Sequence, residues 1–319
     1  MNNNTNNIDK YLYTQSFKYS FLHPKHWITW IAVFFAIILA FTPSKLRDKL
    51  ARKLSTIIIK KNSNVVRRSR INLECCFPEK SDRERQQILQ ETFVKATQYL
   101  LGYSEFLIRS TKHNQRRGVI IGEENLLPLL DSGKNVIVFA PHTWSVDYPA
   151  MMLAAKGYRI ATIMKPQRNP ICNWLMHLQR IQYGGRIFAR DAGVKPFVRS
   201  IKDGYLGYWL PDEDFGLNNS VFVPFFATEK ATLRSFGKMT RLSKAQVVPI
   251  LSTYDDKSSR YEVRILPAIA NFPTDHEEQD ARTMNTIIEN LIHSHPEHYM
   301  WNLSLLKTRR DGKKIYNDS

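Results

Sequence analysis

The sequence predicts an α/β fold, a mixed and mostly parallel sheet flanked by helices, with an apolar N-terminal helix ahead of it. Three observations carry this. From about residue 119, short apolar runs rich in β-branched and aromatic residues alternate with helical patterns, as in layered α/β folds. The clearest run, residues 135–140, follows Gly133 and stops at Pro141, and it reads as a strand buried on both faces. Well before it, residues 27–41 carry no charge at all.

The elements follow in order. Residues 1–20 form a polar tail whose first seven positions are nearly all Asn. Residues 21–44 are expected to form a hydrophobic membrane anchor, and residues 45–319 the main body, a single domain. The uncharged run 27–41 is shorter than the ~20 residues of an untilted membrane span. Extending it back to Phe21 brings in His23, Lys25 and His26, which can snorkel, and Trp27 and Trp30 suit a membrane-interface belt. The alternative is a buried core helix. The flank favours the membrane: residues 45–70 hold ten Lys or Arg and one Asp, which by the positive-inside rule keeps the body cytoplasmic. Lys45, Lys49, Arg52 and Lys53 interleave with Leu46, Leu50, Leu54, Ile57 and Ile58 as a basic amphipathic helix suited to an anionic leaflet.

Residues 81–108 read as one helix opened by the capping box Ser81-Asp-Arg-Glu84. Strands are expected at 135–140, 159–164, 186–189, 205–210, 245–251 and 261–266. Helices are expected from near Asp147 to Lys156 and at 170–180, 194–202, 231–242 and 282–292.

A net charge of +17 implies an anionic partner: nucleic acid, a membrane surface or an acidic substrate. Interleaved basic and aromatic motifs are absent and an anchor is present, so nucleic acid is not expected as a partner. The three cysteines, two of them adjacent, have neither zinc spacing nor a disulfide pattern, which fits a reducing compartment.

Chemistry collects at strand ends. His142 follows the 135–140 strand where open α/β sheets bind ligands, and Asp147 follows five residues later. If the turn folds back, Asp147 can hold one ring nitrogen and leave the other as a general base; otherwise the two are an ordinary turn or capping pair. Arg190 ends the 186–189 strand, and Asp212 and Asp214 follow the 205–210 strand. Arg190 suits a phosphate or carboxylate clamp, or pairs with the acidic cluster. Asp212 and Asp214 can bind sugar hydroxyls, orient Arg190 or cap a helix. Lys165 and Arg186 are further candidates to bind an anionic substrate, with Arg168 and Arg180 close by. No metal is expected: one short acidic loop makes an incomplete oxygen cage, and His293, His295 and His298, interrupted by Pro296, read as a solvated helix end.

These residues carry a resemblance. His142-Thr-Trp-Ser-Val-Asp147 resembles the His-x4-Asp box of the glycerolipid acyltransferase superfamily. Gly185-Arg-Ile-Phe-Ala-Arg190, Leu210-Pro-Asp-Glu-Asp-Phe-Gly216 and Gln246-Val-Val-Pro-Ile250 are similar to its second, third and fourth blocks. The Asp-x-Asp form of the third block resembles the late acyltransferases of bacterial lipid A, as do His23-Pro-Lys-His-Trp27 and Phe225-Phe-Ala-Thr-Glu-Lys-Ala-Thr-Leu233. The closing Leu305-Leu-Lys-Thr-Arg309 is more similar to the last-acting, myristoyl-adding branch than to the lauroyl-adding one. The resemblance implies a cofactor-free enzyme at the cytoplasmic face of the inner membrane. It would move an acyl group from acyl carrier protein to a hydroxyl on an acyl chain of an anionic Kdo2-lipid A precursor. On that reading His142 and Asp147 are catalytic, and Arg190, Asp212, Asp214, Lys165 and Arg186 bind substrate. A membrane-bound lipid hydrolase with the same dyad is the rival; the lack of a Gly-x-Ser-x-Gly elbow speaks against a serine hydrolase.

Overall fold

The computed structural model describes residues 8–316, so the Asn-rich start lies outside the described residues. After short 3-10 turns come α1 (Trp27–Phe41), α2 (Ser44–Lys60), α3 (Asn64–Cys76) and α4 (Asp82–Gly102). Ser81 Oγ accepts from Glu84 N and Glu84 Oε2 accepts from Ser81 N, so the expected capping box opens α4. The expected single helix breaks after Gly102 and resumes as α5 (Glu105–Ile108), followed by α6 (Thr111–Arg116).

Alternation then begins with β1 (Gly118–Ile121), α7 (Leu127–Asp131), β2 (Val136–Phe139), α8 (Asp147–Ala155), β3 (Ile160–Met164) and α9 (Pro170–Ile181). It continues through β4 (Arg186–Ala189), α10 (Lys195–Lys202), β5 (Leu206–Trp209), β6 (Ser220–Phe225), β7 (Thr228–Leu233) and α11 (Phe236–Ser243). It closes with β8 (Gln246–Asp255), β9 (Arg260–Ile265) and α12 (Glu277–His293). Seven strands form one sheet in the order β1-β9-β8-β2-β5-β3-β4. Every pairing in it is parallel except β8 with β9. This is the mixed, mostly parallel sheet that the sequence predicts.

The sheet centre is apolar on both faces. Ile137 and Phe139 of β2 enter one core cluster, and Val136 and Val138 enter another. The strand has no solvent face, which is why its sequence is apolar without alternation. Each such side chain stabilises the fold by roughly 1.5–3 kcal/mol. β5 approaches α10 closely at Gly207, where a Cβ would sit 2.8 Å from Ile201 Cδ1 and 3.0 Å from Phe197 Cζ.

Three expectations change. The helix expected at 231–242 exists only as α11. Residues 228–233 instead form the second arm of a β6–β7 hairpin, closed by a two-residue turn with Phe226 at φ +50°. The hairpin is held by α12: Asn285 Nδ2 donates to Pro224 O at 2.9 Å, and Thr232 Oγ1 donates to Asn285 Oδ1 at 3.1 Å. β1 precedes the first expected strand and depends on β9, some 140 residues away, for pairing. Finally, part of the stretch read as a polar tail, within residues 8–20, packs on the body. Ile8 is buried, Tyr13 N donates to Ile187 O at 2.7 Å, and Leu12 bridges antiparallel to Phe188 of β4.

Candidate active site

β2 and β5 are adjacent and parallel, so the residues just past their carboxyl ends, His142 and Asp212, meet. His142 Nδ1–H donates to Asp212 Oδ1, and the His142 backbone N–H donates to Asp212 Oδ2 at 2.8 Å. Asp212 is fully buried. Of the roles left open for Asp212 (binding sugar hydroxyls, orienting Arg190 or capping a helix), the geometry shows none: both oxygens accept from His142 and the residue is closed to solvent. The loop carrying His142 is pinned from the opposite side by residues 298–300. Met300 N donates to His142 O at 2.8 Å, Trp144 N donates to His298 O at 3.1 Å, and Thr143 bridges to Tyr299.

Burial alone would lower the His142 pKa, but the Asp212 charge and hydrogen bond, with Glu213 and Asp147 further out, carry it above the ordinary histidine value. Burial would raise Asp212, and the facing imidazolium more than reverses this, leaving its carboxyl below the usual carboxylate range. With Nδ1 committed to Asp212, Nε2 is the nitrogen left for proton transfer. Its nearest charged neighbour is Glu213 Oε1 at 3.8 Å.

Asp147 does not fold back onto His142 as the turn reading expected. It opens α8, where the helix dipole favours a carboxylate, and both of its oxygens accept from Arg180 Nη2 of α9 at 2.9 and 3.1 Å. The place beside one ring nitrogen that the turn reading gave to Asp147 is taken, at Nδ1, by Asp212 at the end of the neighbouring strand β5. Asp147 and Arg180 still line the same cavity as His142.

The remaining candidates divide. Arg190 lies past β4, three strands from β2, and reaches the centre through Glu213, with which it pairs while stacking 5.1 Å over the Phe215 ring. Arg186 is held by Asp203 at 3.3 Å and stacks 4.2 Å over Tyr205. Lys165 is exposed and borders the cavity, with no ion pair among the described residues. Asp214 is not among the residues that line the cavity. Its Oδ1 accepts from Gly216 N at 2.9 Å and Thr308 Oγ1 at 2.8 Å, and its Oδ2 accepts from Thr308 N at 2.6 Å, which ties the C-terminal segment to the site. Sequence reasoning missed Lys230. It is fully buried, 5.6 Å over the Phe225 ring, with no hydrogen-bond partner for Nζ among the described residues. Burial lowers its pKa, opposed first by the Asp212 charge.

His295, Glu297 and His298 place their ligand atoms within 4.8 Å of one another. His298 is buried, unlike the solvated helix end expected there. Its Nδ1 accepts from Tyr254 N at 3.4 Å, so the ring proton sits on Nε2, 3.4 Å from Glu297 Oε1. A metal would need the electron pair at that nitrogen. Burial and the nearby Lys95 charge push the His298 pKa down to about 3, so the ring is neutral and serves to pin the segment next to His142.

The cavity beside these groups measures about 880 Å³. Met151, Ile163, Leu175, Met176 and Tyr208 supply much of its wall, and Tyr103 Oη donates to Gln179 Oε1 at 3.0 Å within it. A hydrogen-bonded His–Asp pair next to a large apolar space is suited to proton transfer on a long-chain substrate.

Comparison with known proteins agrees with this chemistry. The family described as bacterial lipid A biosynthesis acyltransferase matches residues 14–308. A lipid A biosynthesis acyltransferase of Haemophilus influenzae is 41% identical over 305 residues, covering 96% of this chain and 95% of that one. The lipid A biosynthesis myristoyltransferase of Escherichia coli K12 is 38% identical over 94% of this chain and 93% of its own. The lauroyltransferase of the same organism is 27% identical over 93% of this chain and 96% of its own. A match along nearly the whole chain, at this identity and with this site, means that the chain belongs to the bacterial lipid A biosynthesis acyltransferases.

Proposed function

We propose that this enzyme transfers a fatty acyl group, myristoyl by preference, from acyl carrier protein to a hydroxyl on an acyl chain of an anionic Kdo2-lipid A precursor at the cytoplasmic face of the inner membrane. One observation carries the reading: His142, held at Nδ1 by buried Asp212, lines the large apolar cavity with Nε2 free. The acceptor oxygen attacks the thioester carbonyl as Nε2 takes its proton. The new C–O bond forms, the C–S bond breaks, and the imidazolium returns its proton to the departing thiolate. Asp212 stabilises that imidazolium. The thioester is already activated, so neither a covalent enzyme intermediate nor a cofactor enters the proposal.

In this reading Asp147, with Arg180, supports the cavity wall and the charge at His142. Arg190 and Lys165 contact the acceptor phosphates in the same reading, with Arg186 further off. The net charge of +17 suits a polyanionic lipid and an acidic carrier protein alike. The greater identity to a myristoyltransferase than to a lauroyltransferase supports the chain-length preference. The test is incubation of purified enzyme with radiolabelled myristoyl-acyl carrier protein and the lipid A precursor. Label in the acceptor is expected. Label only in free fatty acid would favour the hydrolase, and a stronger response to the lauroyl donor would reverse the preference.

A further inference from the structure

α1 is the one helix apolar enough to cross a membrane among the described residues. With the 3-10 turn Pro24–His26 that runs into it, the helical stretch covers eighteen residues, about 27 Å at 1.5 Å per residue against the ~30 Å hydrocarbon core, so length alone does not decide whether it crosses. The chain on both sides of α1 is fastened to the same body. Before it, Tyr13 N donates to Ile187 O of β4 at 2.7 Å, and His177 Nε2–H donates to Tyr13 O at 3.0 Å. After it, Arg47 forms a buried ion pair with Glu105 at 2.9 Å. A helix that crossed the bilayer would carry one of these attachments to the other side.

One face of α1 is itself packed on the body. Ser104 Oγ donates to Ala36 O at 2.5 Å, Asn169 Nδ2 donates to Thr29 Oγ1 at 2.9 Å, and the Trp30 ring lies 6.5 Å from that of Trp174. Trp30 therefore faces inward instead of joining an interface belt. The opposite face shows Ile28, Ile31, Phe34, Phe35, Ile38 and Phe41 to the exterior, with Ile28 83% exposed. α2 follows directly and exposes Leu46, Leu50 and Ile57 beside Lys45, Lys49 and Lys53. An apolar ridge continued by a basic amphipathic face matches the interior and the headgroups of a single anionic leaflet.

We infer that α1 does not span the membrane: it lies along the body and inserts its outer face into one leaflet, with the α2 lysines on the anionic headgroups. This deepens the proposed function and rests on it only in taking the acceptor to be a membrane lipid. The space entered by the acyl chains is lined in part by Leu100, Tyr103, Cys172 and Leu175, from α4, its C-terminal edge and α9, the elements against which α1 and its flanks pack. An in-plane anchor would thus hold that part of the body at the lipid surface.

Two measurements test this on the full chain. In the first, a small fragment of a split fluorescent protein is fused to either terminus and its complement is expressed in the cytoplasm. Fluorescence is expected from both fusions; a dark N-terminal fusion beside a bright C-terminal one would show a crossing and overturn the inference. In the second, vesicles of phosphatidylethanolamine and phosphatidylglycerol are floated with the wild type and with the Ile31→Glu/Phe35→Glu variant. Binding is expected to fall at least ~10-fold, given the apolar surface lost, while turnover of detergent-solubilised acceptor stays near the wild-type level. Unchanged flotation of the variant would overturn the inference. If the wild type itself failed to acylate the solubilised acceptor, the acyl-transfer reading would fall while the topology result stood.

Discussion

Asp212 bonds both the ring and the backbone of His142, although 70 residues separate them. The pairing follows from two adjacent parallel strands ending at the same level. It gives Asp212 the part of the orienting carboxylate and leaves the acid of the His-x4-Asp box to a different partner.

The first consequence concerns pH. In the proposed mechanism the neutral imidazole is the base, and its pKa stands above the ordinary value because Asp212 outweighs burial. Activity is therefore expected to rise with pH through a midpoint above ~6.5. In Asp212→Asn the imidazolium loses its partner, so that midpoint should move down while kcat falls roughly 10²–10⁴-fold. The pH profile of kcat/KM checks both. An unmoved midpoint would detach Asp212 from the histidine.

The second concerns Asp147. Its bond to Arg180 means that Asp147→Asn should cost less activity than Asp212→Asn, by at least about one order of magnitude, if it acts through position and field instead of direct contact. Arg180→Met should leave Asp147 unpaired in a partly buried wall. A double-mutant cycle between the two is expected to show coupling of about 0.5–3 kcal/mol in thermal unfolding. Additive single effects would remove the pair from the account.

How far the site was legible in the sequence shows here. His142 could be found because an apolar strand bounded by Gly133 and Pro141 delivers it to the sheet edge. The acidic cluster at 212–214 could be found for the same reason. Which carboxylate meets the imidazole could not, because it depends on β5 lying next to β2, and strand order is a non-local property. The hairpin at 220–233 was hidden likewise: Ala231, Thr232 and Leu233 also fit a helix locally, and the strand is held by pairing with β6 and by bonds to Asn285 of α12, some 50 residues on. Lys230 gave no signal, since a lysine is ordinarily exposed. The basic helix after residue 44 was legible from spacing, whereas the packing of α1 on the body depended on Trp174 and Ser104, far along the chain.

The third prediction concerns stability. Glu105 is buried and accepts from Arg47 at 2.9 Å, Arg117 at 3.1 Å and His113 at 3.2 Å. Burial would raise its pKa, but Arg117 and Arg47 bring it below the usual value. A depressed carboxylate contributes stability above its unfolded pKa of ~4.3 and loses it as pH falls through the folded value. Glu105→Gln leaves the buried Arg47 and the half-buried Arg117 without their carboxylate and should cost roughly 3 kcal/mol. It should also flatten the loss of stability below about pH 4. Thermal melts of both proteins across that range measure it, and parallel curves would contradict it.

The central claim is that Nε2 of His142 removes the proton from the acceptor hydroxyl. The most direct measurement is steady-state transfer from acyl carrier protein to the lipid A precursor by His142→Ala, with circular dichroism as the check on folding. A loss of roughly 10²–10⁴-fold in kcat with an unchanged spectrum is expected. Turnover near the wild-type rate in a folded variant would contradict the account.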